Sequence, residues 1–309
     1  MDYKPTIVSS LKAMVKLARD SKEKFKIIAY NKVLKQLADH ADPIYSMDDL
    51  KDIKGIGKGI KDKLSEIFET GKLAKAEEVD PQLEALVDMF SEIMCIGPVK
   101  ARELVYEQKL KTIEELKAHP ELLNDKQKIG LKYVDDFKER IPRKEMDTHN
   151  EFLTKVIAEI SPNTPFQVAG SYRRGAASSG DIDLLVSSCD PNFIPRVVAK
   201  LGKYVTDTFA SGTTKFMGAC RLPRRRVHRR LDIVCIPPHE YAFALLYFTG
   251  SQAHNIAMRK QALSLGYTLN EHGIKLVATD APIVDNVFNT EQDIFEFLKM
   301  EYKQPKDRV

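Results

Sequence analysis

Gly170-Ser171-Tyr172-Arg173-Arg174-Gly175, with Gly180-Asp181-Ile182-Asp183-Leu184-Leu185-Val186 close behind it, holds the residues of this chain best suited to chemistry. The stretch reads as a strand, a basic turn bounded by glycines, and a second strand carrying two carboxylates. Side chains alternate across a strand, so Asp181 and Asp183 project to one face while Ile182 and Leu184 enter a core. Two carboxylates so placed, beside serines, glycines and arginines suited to phosphate oxygens, make a site for Mg²⁺ and a nucleoside triphosphate.

A third acid lies in Arg229-Arg230-Leu231-Asp232-Ile233-Val234-Cys235-Ile236. An Asp inside an apolar strand is costly unless it is paired or binds a metal. Taken singly, each acid could cap a turn or pair with Arg173, Arg229 or Arg230. A D-x-D directly after G-S-x-R-R-G, with a later strand Asp, favours the metal.

The surrounding elements must hold these groups. Residues 1–80 read as helices: Leu11, Val15, Leu17 and Ala18, then Ile27, Ile28, Val33, Leu34 and Leu37, recur near helical spacing. Breaks are expected at Asp42-Pro43 and at Lys54-Gly55-Ile56-Gly57-Lys58-Gly59, after which Ile60, Leu64, Ile67 and Phe68 form a stripe ending at Gly71. Residues 81–142 are helical again, with Leu83, Leu86, Val87 and Phe90 leading to a second glycine loop. From Phe166 short β-branched strands indicate an α/β domain over 143–238. Residues 239–309 mix a helix over 253–265 with strands at 267–269 and 274–277. The fold class is multidomain, α and α+β.

The two loops, Ile53-Lys54-Gly55-Ile56-Gly57 and Met94-Cys95-Ile96-Gly97-Pro98, form an approximate internal repeat, each before a basic helix. Glycine permits the sharp turn, and amides opening the next helix face an anion. Such loops suit a nucleic-acid backbone, held without reading bases; a plain packing corner is the alternative.

At 309 residues and 43% hydrophobic content, the chain can build more than one core. A net charge of +4 does not by itself announce a nucleic-acid protein, but its distribution is uneven. Lys4, Lys12, Lys16, Arg19, Lys22, Lys24, Lys26, Lys32 and Lys35 face only Asp2, Asp20 and Glu23 in the first 35 residues, and Arg221, Arg224, Arg225, Arg226, Arg229 and Arg230 crowd ten positions. Both clusters suit phosphate backbones, although the first also fits a solvated helix face. Cys95, Cys189, Cys220 and Cys235 lack C-x-x-C spacing, so neither zinc nor a disulfide framework is indicated, and a reducing compartment fits. No apolar run approaches the ~20 residues of a membrane helix, and the N-terminus does not resemble a signal peptide. A soluble intracellular protein is expected.

These residues resemble the nucleotidyltransferase superfamily and, more narrowly, the family X DNA polymerases. The resemblance rests on GSYRRGAASSGDID at 170–183, TKFMGAC at 214–220, HRRLDI at 228–233 and YFTGS at 247–251, with IGLKY at 129–133 and RIPR at 140–143, in this order. It implies four parts. Residues 1–80 are an all-α, lyase-like domain with a helix-hairpin-helix that binds single strands and 5′-phosphates; 81–142 are a second helix-hairpin-helix subdomain for duplex DNA. Residues 143–238 are a catalytic palm with a mixed sheet, and 239–309 a small α/β subdomain for the nascent base pair.

By the same resemblance, Asp181 and Asp183 bridge two Mg²⁺ ions (Mn²⁺ is an alternative), and Asp232 holds the ion that activates the primer hydroxyl. Ser171, Arg174, Ser179 and Gly180, with Arg140 as a weaker contact, bind the triphosphate. Tyr247, Phe248 and Gly250 form a sugar pocket that can exclude a 2′-hydroxyl; Gln252 and Asn255 meet the nucleotide, and Arg230 and Arg259 meet DNA. Backbone carbonyls of Lys51, Ile53 and Ile56, and of Ser91, Ile93 and Ile96, hold Na⁺ or K⁺ bridging to phosphates beside Gly55, Gly57 and Gly97. Lys63 aligns with a lyase nucleophile that forms a Schiff base with a 5′-deoxyribose phosphate. Lys26 and Tyr30 align with contacts to its phosphate. The chain departs from the family pattern at Gln252 (Asp in the family), Val234 (Arg), His272 (Tyr), Gly59 (Lys) and Phe25 (His); Lys58 or Lys61 could substitute for the missing lysine.

The expected function is template-directed gap filling with 5′-deoxyribose-phosphate lyase activity in base excision repair. The expected partners are gapped or nicked DNA, deoxynucleoside triphosphates and other repair proteins, with no membrane. A monomer is expected, in the nucleus, with mitochondrion and virion as alternatives. No protein-interaction domain is expected ahead of residue 1. The competing readings are a gap-binding polymerase without lyase activity, a template-independent transferase and a non-catalytic damage scaffold. Residues 206–215 leave only a short turn between strands, against the template-independent reading; three intact acids argue against the scaffold.

Overall fold

The fold is taken from a computed structural model, which describes every residue except Lys22, Val284, Asp285 and Val309, and the backbone alone of Asp20 and Glu78. Lys22 of the basic N-terminal cluster therefore lies outside the described residues. The chain divides into two compact units, Met1–Leu122 and Leu123–Val309.

In the first unit the helices Lys4–Asp20, Lys24–Asp39 and Lys58–Thr70 turn their apolar stripes to one core. Ile7, Leu11 and Val15 meet Val33 and Leu37, and Ile60, Leu64 and Ile67 complete the cluster. Lys58–Thr70 ends where Gly71 turns left-handed at φ +78°, a conformation that costs glycine little. The loop repeat is a backbone repeat as well. Gly57 (φ −80°, ψ 174°) caps Lys58–Thr70, and Gly97 (φ −85°, ψ 172°) caps Pro98–Arg102. Two residues earlier, Gly55 (φ +101°) and Cys95 (φ +68°) both adopt positive φ. Cys95 does so without glycine's freedom, at a cost of roughly 1 kcal/mol.

The helix Pro81–Ser91 buries Val87 and Phe90, as its pattern predicts, but also Glu84. This acid receives the Lys16 ammonium at 2.9 Å, the Arg102 guanidinium at 2.7 and 2.8 Å, and the Tyr106 hydroxyl at 3.0 Å. A buried carboxylate is tolerated only when so fully paired.

The second unit is built on a five-stranded sheet in the order β2-β4-β7-β6-β5. The strands are β2 (Phe166–Val168), β4 (Ile182–Ser187), β5 (Val205–Ser211), β6 (Lys215–Cys220) and β7 (Arg229–Ile236). β4 and β7 run parallel, and the other neighbours antiparallel. Ile182, Leu184, Val186, Leu231 and Ile233 pack with Leu153 and Ile157 of the helix Arg143–Ile160 and Val197 of Phe193–Leu201. β1 (Ile141–Pro142) pairs with β3 (Ser178–Ser179) as a separate ribbon. A second core, around Phe243, Leu246, Met258, Ile294 and Phe295, joins the helices Tyr241–Thr249, Gln252–Ser264 and Glu291–Phe297 to the hairpin β8 (Tyr267–Asn270) and β9 (Gly273–Leu276). The β5–β6 connection is three residues long (212–214).

The arginine cluster is not one surface. Arg229 is buried, gripping Glu145 through Nε at 2.7 Å and Nη2 at 3.2 Å. Arg230 turns to Asp181. Only Arg221, Arg224, Arg225 and Arg226 are exposed, because alternation along β7 sends its first two arginines to opposite faces of the sheet.

Candidate active site

Register places the acids. β4 and β7 align Asp183 directly beside Asp232, so both side chains leave the sheet on the face opposite Ile182, Leu184, Leu231 and Ile233. Asp183 is pushed up to about 6, first by burial and then by the neighbouring Asp232. Burial also raises Asp232, offset by Arg230 and then by Lys215. Asp232 Oδ1 is buried and accepts no hydrogen bond. Asp181, just ahead of β4, is ion-paired with Arg230, whose Nε lies 4.0 Å from Asp232. The structure thus brings two of the three acids together and turns the third to an arginine. Among the described residues no group of three His, Cys, Asp or Glu side chains is arranged to hold a metal. Two adjacent carboxylates, half-buried Asp183 and buried Asp232 with its unsatisfied oxygen, still have the chemistry of hard-cation ligands, and the residues fit a divalent ion.

The turn over 170–175 is tied to this pair. The Ala169 N–H donates to Asp183 O at 2.8 Å. Gly170 has φ +58°, and a Cβ there would lie 2.7 Å from Asp183 Oδ2, so any other residue would be strained and would push the carboxylate aside. The Ser171 hydroxyl donates to Ser179 Oγ at 2.9 Å. The β1–β3 ribbon carries Arg140 to the same place: its Nη2 donates to Ser178 O at 2.6 Å, and its Nη1 lies 3.2 Å from where a Gly180 Cβ would stand. Ser171, Ser179, Gly180, Arg140 and Asp183 are therefore neighbours. Arg174 points its Nη1 to Thr249 O at 2.6 Å.

Tyr247 and Phe248 close the helix Tyr241–Thr249, followed by Gly250 at φ +61° and a cis Gly250–Ser251 peptide. Asn255 donates to Tyr247 O at 2.8 Å, and the Arg259 guanidinium lies 5.3 Å from the Tyr247 ring centroid. One tyrosine thus organises both residues expected at the base pair. Gln252 begins the next helix and is exposed.

In the first unit, Lys63 is half-buried and donates to Gly59 O at 3.0 Å. Lys26 is paired with Glu23 at 2.6 Å, and Tyr30 is a core residue. Gly59 has open space around its Cβ position, and Phe25 is 89% exposed. Lys51 and Ser91 stand at matching places ahead of the two loops, and Ile53, Ile56, Ile93 and Ile96 anchor the loops, with Ile53, Ile93 and Ile96 buried.

Sequence reasoning did not assign roles to Thr249, Glu291, Arg308 or Lys215. Arg173, adjacent to the expected phosphate ligand, bonds Glu291 and Thr249 instead. Only the doubled arginine hinted at it, since partners 76 and 118 positions away leave no local pattern.

Four family models match the chain in succession: a helix-hairpin-helix domain over 2–73, the fingers domain of DNA polymerase lambda over 88–138, the DNA polymerase beta palm over 140–238 and the DNA polymerase beta thumb over 244–309. The chain is 31% identical to the DNA polymerase lambda of Arabidopsis thaliana, across 99% of this chain and 63% of that protein. It is 30% identical to the DNA polymerase lambda of Rattus norvegicus, across 99% and 56% respectively. The DNA nucleotidylexotransferase of Xenopus laevis is 25% identical over 86% of this chain and 60% of its own length. The chain thus spans about three fifths of the length of these curated relatives.

Proposed function

We propose that this chain, which belongs to the family X DNA polymerases, fills short gaps in DNA by adding deoxynucleotides to a primer 3′-hydroxyl. The observation that carries the reading is the pairing of Asp183 with Asp232 beside a phosphate turn bonded to the same strand. We take the working parts as 1–80, 81–142, 143–238 and 239–309.

Asp183 and Asp232, joined by Asp181 once it leaves Arg230, would hold divalent ions. When bound, these neutralise the triphosphate and lower the pKa of the primer hydroxyl. Asp232 Oδ1, buried and accepting no hydrogen bond, is placed to take that proton. Ser171, Ser179, Gly180 and Arg140 receive the β- and γ-phosphate oxygens, with Arg174 swinging from Thr249 O to join them. Gly250 lets backbone approach the sugar, Phe248 and Tyr247 line it, and Asn255 and Arg259 test the edge of the new pair. Na⁺ or K⁺ at the two glycine loops would bridge their carbonyls to DNA phosphates.

Lys63 is the proposed nucleophile of an accompanying lyase step: its amine adds to the sugar aldehyde, and the carbinolamine loses water to give a Schiff base. Loss of a C2′ proton with cleavage of the C3′–O bond releases the 5′-phosphorylated strand, and water then hydrolyses the Schiff base to free Lys63. Lys26 would exchange Glu23 for that phosphate. We place the reaction in base excision repair in the nucleus; among the described residues no helix is long and apolar enough to cross a membrane. The likeness to a nucleotidylexotransferase keeps untemplated addition as the second reading, which the three-residue β5–β6 turn disfavours.

The test is a duplex with a one-nucleotide gap bearing a 5′-sugar phosphate, following insertion and release together. Asp232→Ala should abolish insertion and spare release, and Lys63→Ala should do the reverse. Faster extension of a single-stranded primer than of the gap would overturn template direction, and undiminished borohydride trapping by Lys63→Ala would remove the nucleophile assignment.

A further inference from the structure

Outside the carboxylate pair, the second unit contains a closed ring of polar contacts. Glu291, the first residue of the helix Glu291–Phe297, is 5% exposed. Arg173 donates to it through Nη1 at 2.9 Å and Nη2 at 2.7 Å, and Arg308, fully buried, donates through Nη1 at 2.6 Å. The Arg173 Nη1 also reaches the hydroxyl of Thr249 at 2.7 Å. Two residues beyond Thr249, the Ser251 N–H donates to Arg308 O at 3.1 Å. The path runs Glu291, Arg173, Thr249, Ser251, Arg308 and back to Glu291. Arg174, next to Arg173, holds the Thr249 carbonyl at 2.6 Å.

We propose that Glu291, acting through Arg173 and Arg308, is a positioning residue that sets the spacing between the phosphate turn and the Thr249-Gly250-Ser251 turn. That spacing governs selection of deoxyribo- over ribonucleoside triphosphates. The inference rests on the polymerase reading above. A triphosphate held at one turn and a sugar at the other is measured against a fixed ruler, and small misplacement of reacting groups is costly. Two guanidiniums sharing one carboxylate also leave a net positive charge one residue from Arg174, which favours the triphosphate. Neither Glu291 nor Arg308 need touch substrate. Their burial makes the ring stiff, because every hydrogen bond lost inside would strand a charged group.

The test is single-nucleotide gap insertion by the full chain, with kcat and KM measured for a deoxynucleotide and the matching ribonucleotide. In Glu291→Gln and Arg308→Met, the ratio of the two kcat/KM values should fall about tenfold, chiefly through the deoxynucleotide kcat. Arg308→Lys, which keeps the charge, should recover most of the ratio. Because the ratio is internal to each enzyme, loss of folded protein does not move it. Should Glu291→Gln not fold, Thr249→Val removes only the hydroxyl from the ring and should lower the ratio alike. An unchanged ratio in the folded variants, with activity falling only in step with folded fraction, would reduce the ring to a structural brace. Wild-type protein that inserts neither nucleotide would instead refute the polymerase reading.

Discussion

Asp183 and Asp232 stand side by side on parallel neighbouring strands, a half-buried and a buried carboxylate whose proximity comes from sheet register. Such a pair destabilises the fold that creates it, since burial and mutual repulsion both oppose ionisation.

Asp183→Asn should therefore stabilise the protein in chelator at pH 7 while abolishing insertion. The folded-state pKa, about 6, lies above the ordinary 3.8. Between those values the unfolded chain has released the proton that the folded chain retains, so this group's contribution to stability falls as pH rises through that window and stays lost above it. A shift of this size corresponds to at most about 3 kcal/mol at pH 7. Thermal unfolding of both proteins at pH 4 and pH 7 is the check: the Asn variant should gain at pH 7 and lose that gain at pH 4.

Arg230 is ion-paired with Asp181, so under the proposed function a divalent ion would have to compete with it. Arg230→Gln should lower the Mg²⁺ concentration giving half-maximal insertion, since the ion no longer displaces a guanidinium. The same variant should bind DNA more weakly, with a salt slope smaller by roughly one if the arginine also meets a phosphate. Titrations of metal and salt separate the two effects. Unchanged metal dependence would mean that the ion pair yields without cost.

Gly170→Ala adds one methyl where 2.7 Å separates the Cβ position from Asp183 Oδ2, at φ +58°. Insertion should fall by at least about 100-fold through displacement of the carboxylate. Circular dichroism should remain that of the wild type, because the clash is confined to one turn. Gly175→Ala, with positive φ but open space around it, is the control and should lose far less.

Glu84 collects Lys16, Arg102 and Tyr106 in the first unit. Glu84→Ala should cost about 3–5 kcal/mol, because it removes one partner of a buried ion pair. Hydrogen exchange over Pro81–Ser91 and Pro98–Arg102 reads the loss directly, and unaltered protection there would show that the cations find water instead.

Much of this could be read from local pattern. The spacing of Leu11, Val15, Val33 and Leu37 marks amphipathic helices because helical faces repeat within a few residues. The two glycine loops showed as a repeat since each turn needs its own residues in place, although positive φ at Cys95 carried no sequence signal. Motif order also pointed to the turn over 170–175 and the strand acids as neighbours, and the structure sets Asp183 beside Asp232 and Gly170 while Asp181 pairs with Arg230.

What the chain could not announce is how charges are shared across long sequence separations. Arg229 and Arg230 look alike in sequence, yet strand alternation sends one to Glu145 and the other to Asp181. Glu84 sits in an apolar stripe that gives no hint of its three partners. Glu291, Arg308 and Thr249 join Arg173 only after three segments have packed. Amino-acid order determines which segments become helix or strand and which groups are able to do chemistry, because those preferences act over a single turn or pleat. Which carboxylate meets a cation and which meets another acid was decided by register and packing, since Coulomb energy depends on distance in space and on burial, and neither is written in the neighbours along the chain.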